Sequence, residues 1–262
     1  MPLSDSQRQE AADRLAEAER TRTPIDRLTD LYPGIDVKDA YDIQLRQIAA
    51  KKAAGAKVVG KKIGLTGKAI QQQLGITTPD YGHLMSYFPI ADHGEIEAGE
   101  LIWPRVEPEI AFVLDKPLRG PGVNVAQVLA ATRYVTPAFE IIDSRIKDWK
   151  IKFEDTVADN GSSARYVLGS EQRPVDEVDL RLVGMVLKQN GEDIANSSGA
   201  AALGNPAAAV AWLANALGDF GIELEAGEVI LPGALTKSFD AKPGDTFSAS
   251  YDGLGSVNVR FV

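Results

Sequence analysis

The run Pro104-Arg-Val-Glu-Pro-Glu-Ile-Ala-Phe-Val-Leu114 constrains the fold most, because it sets two glutamates into an otherwise apolar, strand-forming segment. Side chains alternate faces along a strand, so Glu107 and Glu109 project to the same side. Val106, Ile110, Phe112 and Leu114 fill the opposite or inner faces. Adjacent like charges on a buried face repel and resist desolvation, so they need a cation or must take up protons. Two environments meet that demand. One is a hard divalent metal with oxygen ligands. The other is a solvated edge strand, which Pro108 favours. Glu140, in the second strand-like segment Pro137-Ala-Phe-Glu-Ile-Ile-Asp143, tips the balance toward the metal.

The length of 262 residues fits one large domain or one domain with a small appendage, and 44% hydrophobic content provides a sizeable core. A net charge of -9 argues against nucleic acid or an anionic membrane as partner. The absence of cysteine excludes disulfides, thiolate metal sites and cysteine nucleophiles. The opening Met1-Pro-Leu-Ser-Asp-Ser is polar and helix-forming, unlike a signal peptide. With no apolar run read as approaching the ~18 residues of a membrane span, a cytoplasmic protein is expected.

The first 57 residues are predicted to form a small helical region. Ser4 or Asp5 caps a helix to about Arg20, and Asp36 starts a second that Gly55 stops. Residues 58–262 form the β-rich main domain, with strand-like runs at 58–63, 101–114, 134–142, 164–168, 180–188, 228–232, 246–251 and 255–262. Three helices interrupt them: one from Thr66 to Gly75, one from Asn124 through Arg133, and one over 207–217 behind Asn205-Pro206. Such irregular alternation predicts an α+β fold with a mixed sheet, not a doubly wound one.

Gly60-Lys-Lys-Ile-Gly-Leu-Thr-Gly-Lys68 superficially suggests a phosphate loop but fails its spacing, since Ala69 follows Gly67-Lys68. What remains is a strand end with Lys61 and Lys62 on opposite faces, one expected in solvent and one inward. An inward lysine near three carboxylates suits a ligand anchor or proton carrier. Thr78-Pro-Asp-Tyr-Gly82 has the composition of a turn, with Asp80 as a turn residue. Val157-Ala-Asp-Asn-Gly-Ser-Ser163 is loop-like. His83 and His93 lack metal-ligand spacing, so a histidine metal site or a serine triad is not expected.

Together these segments resemble the 2-keto-4-pentenoate hydratase and 4-oxalocrotonate decarboxylase group of the fumarylacetoacetase superfamily. The resemblance rests on Val59-Gly-Lys-Lys-Ile-Gly-Leu-Thr66, Pro79-Asp-Tyr-Gly82, Glu107-Pro-Glu109, Pro137-Ala-Phe-Glu140, Asp155-Thr-Val-Ala-Asp-Asn160 and Gly253-Leu-Gly-Ser-Val257. It implies a fumarylacetoacetase C-terminal-domain-like fold and Mg²⁺ or Mn²⁺ held by Glu107, Glu109 and Glu140. It further implies Lys62 as the active-site lysine, substrate contacts at Ser162, Leu65 and Thr236, and a homo-oligomer that associates with other enzymes of its pathway. Gly161 stands where the group usually has alanine. Asp80 and Leu231-Pro-Gly-Ala-Leu235 resemble the hydratases more than the decarboxylases. The related 2-oxohept-4-ene-1,7-dioate hydratase shares Lys116-Pro-Leu-Arg-Gly-Pro121 and Val210-Ala-Trp-Leu-Ala-Asn215, but usually has a longer segment before the Asp-Asn loop. The expected activity is therefore hydration of a 2-hydroxy-2,4-dienoate, with Asp80 as base.

Overall fold

The computed structural model describes residues 2–67, 71 and 77–262. The helix expected from Thr66 to Gly75 lies mostly outside them. The chain opens with α1 (Asp5–Thr21), a four-residue α2 (Leu28–Leu31) and α3 (Val37–Ala53). Ser4 and Asp36 cap α1 and α3 through reciprocal capping boxes with Gln7 and Asp39, as the sequence signals. Ala12, Leu15, Ala40 and Ile43 then bury against Ile146, Val157 and Ala158 from the later chain.

The strands follow as β1 (Val58–Gly64), β2 (Asp80–Met85), β3 (Pro89–Ile90), β4 (Gly94–Ile96), β5 (Arg105–Leu114), β6 (Thr132–Ile142) and β7 (Ser163–Leu168). Then come β8 (Gly184–Gln189), β9 (Glu192–Ser198), β10 (Val229–Leu231), β11 (Phe239–Asp240), β12 (Thr246–Tyr251) and β13 (Gly255–Phe261). Between them lie α4 (Val125–Ala131), α5 (Phe153–Ala158) and α6 (Pro206–Gly218). α4 ends two residues short of the expected Arg133 because Thr132 already enters β6.

One sheet has the order β2-β1-β10-β5-β6-β7-β3, with β11 pairing the start of β5; the other has the order β4-β13-β12-β8-β9. β1 runs parallel to β10 while β5 and β6 are antiparallel, so the sheet is mixed as expected. Ile110, Phe112, Phe139 and Ile141 share the main core with Phe247, Val257, Val259 and Phe261 of the second sheet and with α6. The other face of β5 and β6 carries Ala111, Val113 and Ala138, which pack with Ile48 of α3. The N-terminal helices therefore cover the face to which Glu107, Glu109 and Glu140 belong by alternation.

Pro108 sits on a central strand, not an outer one. Its carbonyl accepts from Leu235 N at 2.9 Å, in the stretch between β10 and β11 where β5 has no regular strand beside it. A missing N–H on that side interrupts no ladder. Contrary to the sequence expectation, one stretch is membrane-length: Gly199–Gly218 has the length and a mean hydropathy of 1.2 that would suffice for a span. Its α6 portion buries Ala207, Val210, Leu213 and Leu217 in the main core.

Candidate active site

The register of β5 on β6 sets Glu107 directly opposite Glu140, and Glu109 opposite Ala138. One oxygen from each of the three carboxylates lies within 4.8 Å of the others. Glu109 and Glu140 are fully buried, whereas Glu107 is half-buried and marks the open end of the cluster. Glu109 accepts one hydrogen bond, from Gly233 N at 2.8 Å. Its second oxygen and both oxygens of Glu140 have no hydrogen-bond partner among the described residues.

Lys62 comes to this cluster from β1. Its Nζ lies 3.3 Å from Glu140 Oε2 and donates to the Gly161 carbonyl at 2.9 Å. Burial works against the lysine charge, but Glu140, Asp80, Glu107 and Glu109 outweigh it and hold the ammonium more firmly protonated than an ordinary lysine. Asp80 opens β2 opposite Gly64 and is buried, with Oδ2 3.4 Å from Thr156 Oγ1 and Oδ1 without a hydrogen-bond partner among the described residues. A side chain at Gly64 would meet Asp80 Oδ1 at 2.2 Å and Lys62 Nζ at 3.4 Å, so the glycine makes room for both groups at one point.

The segment opposite is a left-handed turn in which Asn160, Gly161 and Ser162 all have φ between 54° and 60°. Such a conformation persists only when its surroundings over-determine it. The Asn160 side chain clamps the His83 backbone, accepting from N at 2.8 Å and donating to O at 2.9 Å. The Ser162 hydroxyl donates to Asp159 Oδ2 at 3.0 Å, and Asp159 is itself paired with buried Arg145 at 2.5 Å.

Burial raises all four site carboxyl groups. For Glu107, burial with Glu140 and Asp80 nearby pushes it up to about 7, against the pull of Lys62 and Arg105. Glu109 is raised further by burial and by its two glutamate neighbours. Burial raises Glu140 and Asp80 despite Lys62. One ammonium among four carboxylates leaves the site short of positive charge. Orphaned buried oxygens in an all-oxygen cluster fit a hard divalent cation, so the residues present suit Mg²⁺ or Mn²⁺.

Glu107, Glu109, Glu140, Lys62 and Asp80 therefore converge. Ser162 lies beside them, its hydroxyl engaged by Asp159. Leu65 follows β1 with a φ of 57° and offers its carbonyl to Gln71 Nε2 at 2.8 Å. Thr236 stands three residues beyond the Gly233 amide, and its hydroxyl donates to the Lys237 carbonyl at 2.9 Å. Lys61 does not point to solvent, as one of the two lysines is expected to: it is buried and paired with Glu228 at 2.5 Å. Thr78–Gly82 is not simply a turn, since Asp80 begins a strand. The 157–163 stretch is not wholly loop either, because α5 continues to Ala158. Sequence reasoning misses Arg145 and Thr156; Arg145 stands among the charges of Asp143-Ser-Arg-Ile-Lys-Asp148, and nothing local sets it apart.

The chain belongs to the fumarylacetoacetate (FAA) hydrolase C-terminal family, which matches residues 86–262. Within it, the chain is 46% identical over 250 residues to 2-hydroxyhexa-2,4-dienoate hydratase of Comamonas testosteroni, covering 95% of each. It is 43% identical over 251 residues to 4-oxalocrotonate decarboxylase of Pseudomonas sp. (strain CF600), covering 96% of this chain and 95% of the relative. The solved structure of 4-oxalocrotonate decarboxylase from Pseudomonas putida G7, complexed with magnesium and adipate, superposes with a TM-score of 0.96 at 41% identity over 99% of both chains.

Proposed function

We propose that the chain is a hydro-lyase that adds water to 2-hydroxypenta-2,4-dienoate or a close homologue, giving 4-hydroxy-2-oxopentanoate. The observation that carries this is Asp80, a buried carboxylate beside Lys62 and the glutamate cluster, one oxygen of which has no hydrogen-bond partner among the described residues. Kinship with hydratases that act on such dienoates supports it. Glu107, Glu109 and Glu140 would hold one Mg²⁺ or Mn²⁺, which supplies Lewis acidity toward the oxygens of a 2-oxo acid.

The chain's own groups handle protons and position. The dienol first ketonises: its hydroxyl proton leaves and C5 gains one, with Lys62 as proton carrier or, its ammonium held by the carboxylates, as charge stabiliser near the 2-oxygen. Water then adds at C4 while C3 takes a proton. Asp80, with its raised pKa, is a stronger base than an ordinary aspartate and removes the proton from that water. Ser162, Leu65 and Thr236 hold the substrate. Residues 1–57 and 58–262 act as two regions of one cytoplasmic catalytic unit that assembles as a homo-oligomer and associates with enzymes of the same pathway.

The test measures loss of dienol absorbance in Mg²⁺. Glu107→Gln is expected to abolish turnover with the fold intact, and Asp80→Asn to lower kcat by about 10²- to 10⁴-fold. Normal hydration by Asp80→Asn would remove aspartate as the base. Likeness to decarboxylases supports a second activity, release of CO2 from a 2-oxo-3-enedioate. CO2 evolution from that diacid without dienoate hydration would replace the first proposal.

A further inference from the structure

The cluster opens at half-buried Glu107, and the next residue on that face of β5 is Arg105, two positions nearer the strand's start. Two residues of strand span about 7 Å, roughly the length of a five- or six-carbon acid extended from the glutamates. Arg105 lies close enough to pull on the Glu107 carboxyl. Its guanidinium carbon sits 4.5 Å from the Trp149 ring centroid and 6.0 Å from that of Trp103. Trp149 Nε1 donates to the Trp103 carbonyl at 3.1 Å, and Asp143 accepts from Trp103 N at 2.7 Å, so this aromatic wall is fixed.

Asp240 faces Arg105 across the β5–β11 pair. A single oxygen, Oδ1, accepts from Arg105 Nε at 2.8 Å and from Trp103 Nε1 at 3.0 Å. The terminal guanidinium nitrogens make no hydrogen bond to a described residue, and the arginine side chain is 27% exposed. An arginine with two free nitrogens between tryptophans would ordinarily bind a carboxylate. Here a fixed negative charge sits beside it, in a protein whose net charge is already -9.

We propose that Arg105, Trp103, Trp149 and Asp240 form the subsite for the end of the substrate remote from the glutamate cluster, and that Asp240 turns this subsite against a second carboxylate. The tryptophans give apolar surface to a short neutral tail. Asp240 cancels the attraction of Arg105 and repels an anion, so discrimination rests on a repulsive element. This rests on the 2-oxo acid site proposed above and deepens it by naming the tail chemistry.

Two unreactive probes test it by calorimetry in Mg²⁺: 2-oxopentanoate and its diacid counterpart, 2-oxohexanedioate. The quantity read is the ratio of the diacid Kd to the monoacid Kd. The wild type should give a ratio above one. Asp240→Asn should lower the ratio by about tenfold, and Arg105→Gln should raise it by about the same factor. A ratio that stays constant across the three proteins, with 2-oxopentanoate still bound, overturns the tail subsite alone. A wild type that binds neither acid overturns the 2-oxo acid site and this proposal with it.

Discussion

At the scale of single residues, the site is an unbalanced set of charges. Glu107, Glu109, Glu140 and Asp80 all have raised pKa values, so the folded chain binds more protons than the unfolded chain between the ordinary glutamate range and about 7. The contribution of these four groups to stability must then fall as pH rises through that window, whereas neutral His83 works the other way below its ordinary value. A divalent cation reverses the sign by favouring the ionised forms. Thermal melts in EDTA should therefore show lower stability at pH 7.5 than at pH 5.5. Mg²⁺ at a hundred times its pH 5.5 Kd should stabilise the protein by about 2.7 kcal/mol at that pH, and the same concentration should stabilise it by more at pH 7.5. Equal Mg²⁺ effects at both pH values would contradict this balance. The glutamates were legible in the sequence because alternation alone puts Glu107 and Glu109 on one face. Arg145 and Thr156 were not, since their roles depend on contacts with Asp159 and Asp80 that chain spacing does not encode.

Among elements, the capping boxes of α1 and α3 and the runs of β5, β6, β12 and β13 could be read from local signals. β2 could not. Thr78-Pro-Asp-Tyr-Gly82 has turn composition, and only pairing with β1 makes a strand of Asp80–Met85. Lys61 shows the same limit: alternation put it opposite Lys62, but only the tertiary fold brings Glu228 to it. The β1–β2 junction also carries a tight steric demand. In Gly64→Ala the new methyl would meet Asp80 Oδ1 at 2.2 Å, so the carboxylate must move. Displacement of about 1 Å costs on the order of 10²-fold in rate. We expect kcat to fall by about that factor while Mg²⁺ affinity, measured by calorimetry, changes far less, and undiminished kcat would refute the placement of Asp80.

Across the whole molecule, the N-terminal helices and the catalytic sheet are tied through buried amides. Gln44 Nε2 donates to the carbonyls of Tyr81 and Val157 at 3.0 and 2.7 Å, and Gln47 Nε2 donates to that of Ala158 at 2.8 Å. The His83 ring, packed without charge because burial lowers its pKa to about 4, meets Gln44 Oε1 through Nδ1 at 3.0 Å. Gln44→Ala should destabilise the protein by about 1–3 kcal/mol for each buried partner left unsatisfied, read from urea unfolding. An unchanged midpoint would show that the helices are not fastened in this way. The sheet order has a separate consequence. The three glutamates stand on adjoining interior strands paired residue by residue with each other, whereas Asp80 begins β2 at the sheet's margin. The proposed metal holder and the proposed base thus belong to different parts of the sheet, one interior and one marginal. On the function proposed above, a change at the margin could exchange the tool while the vice keeps its grip, so one frame would serve several chemistries.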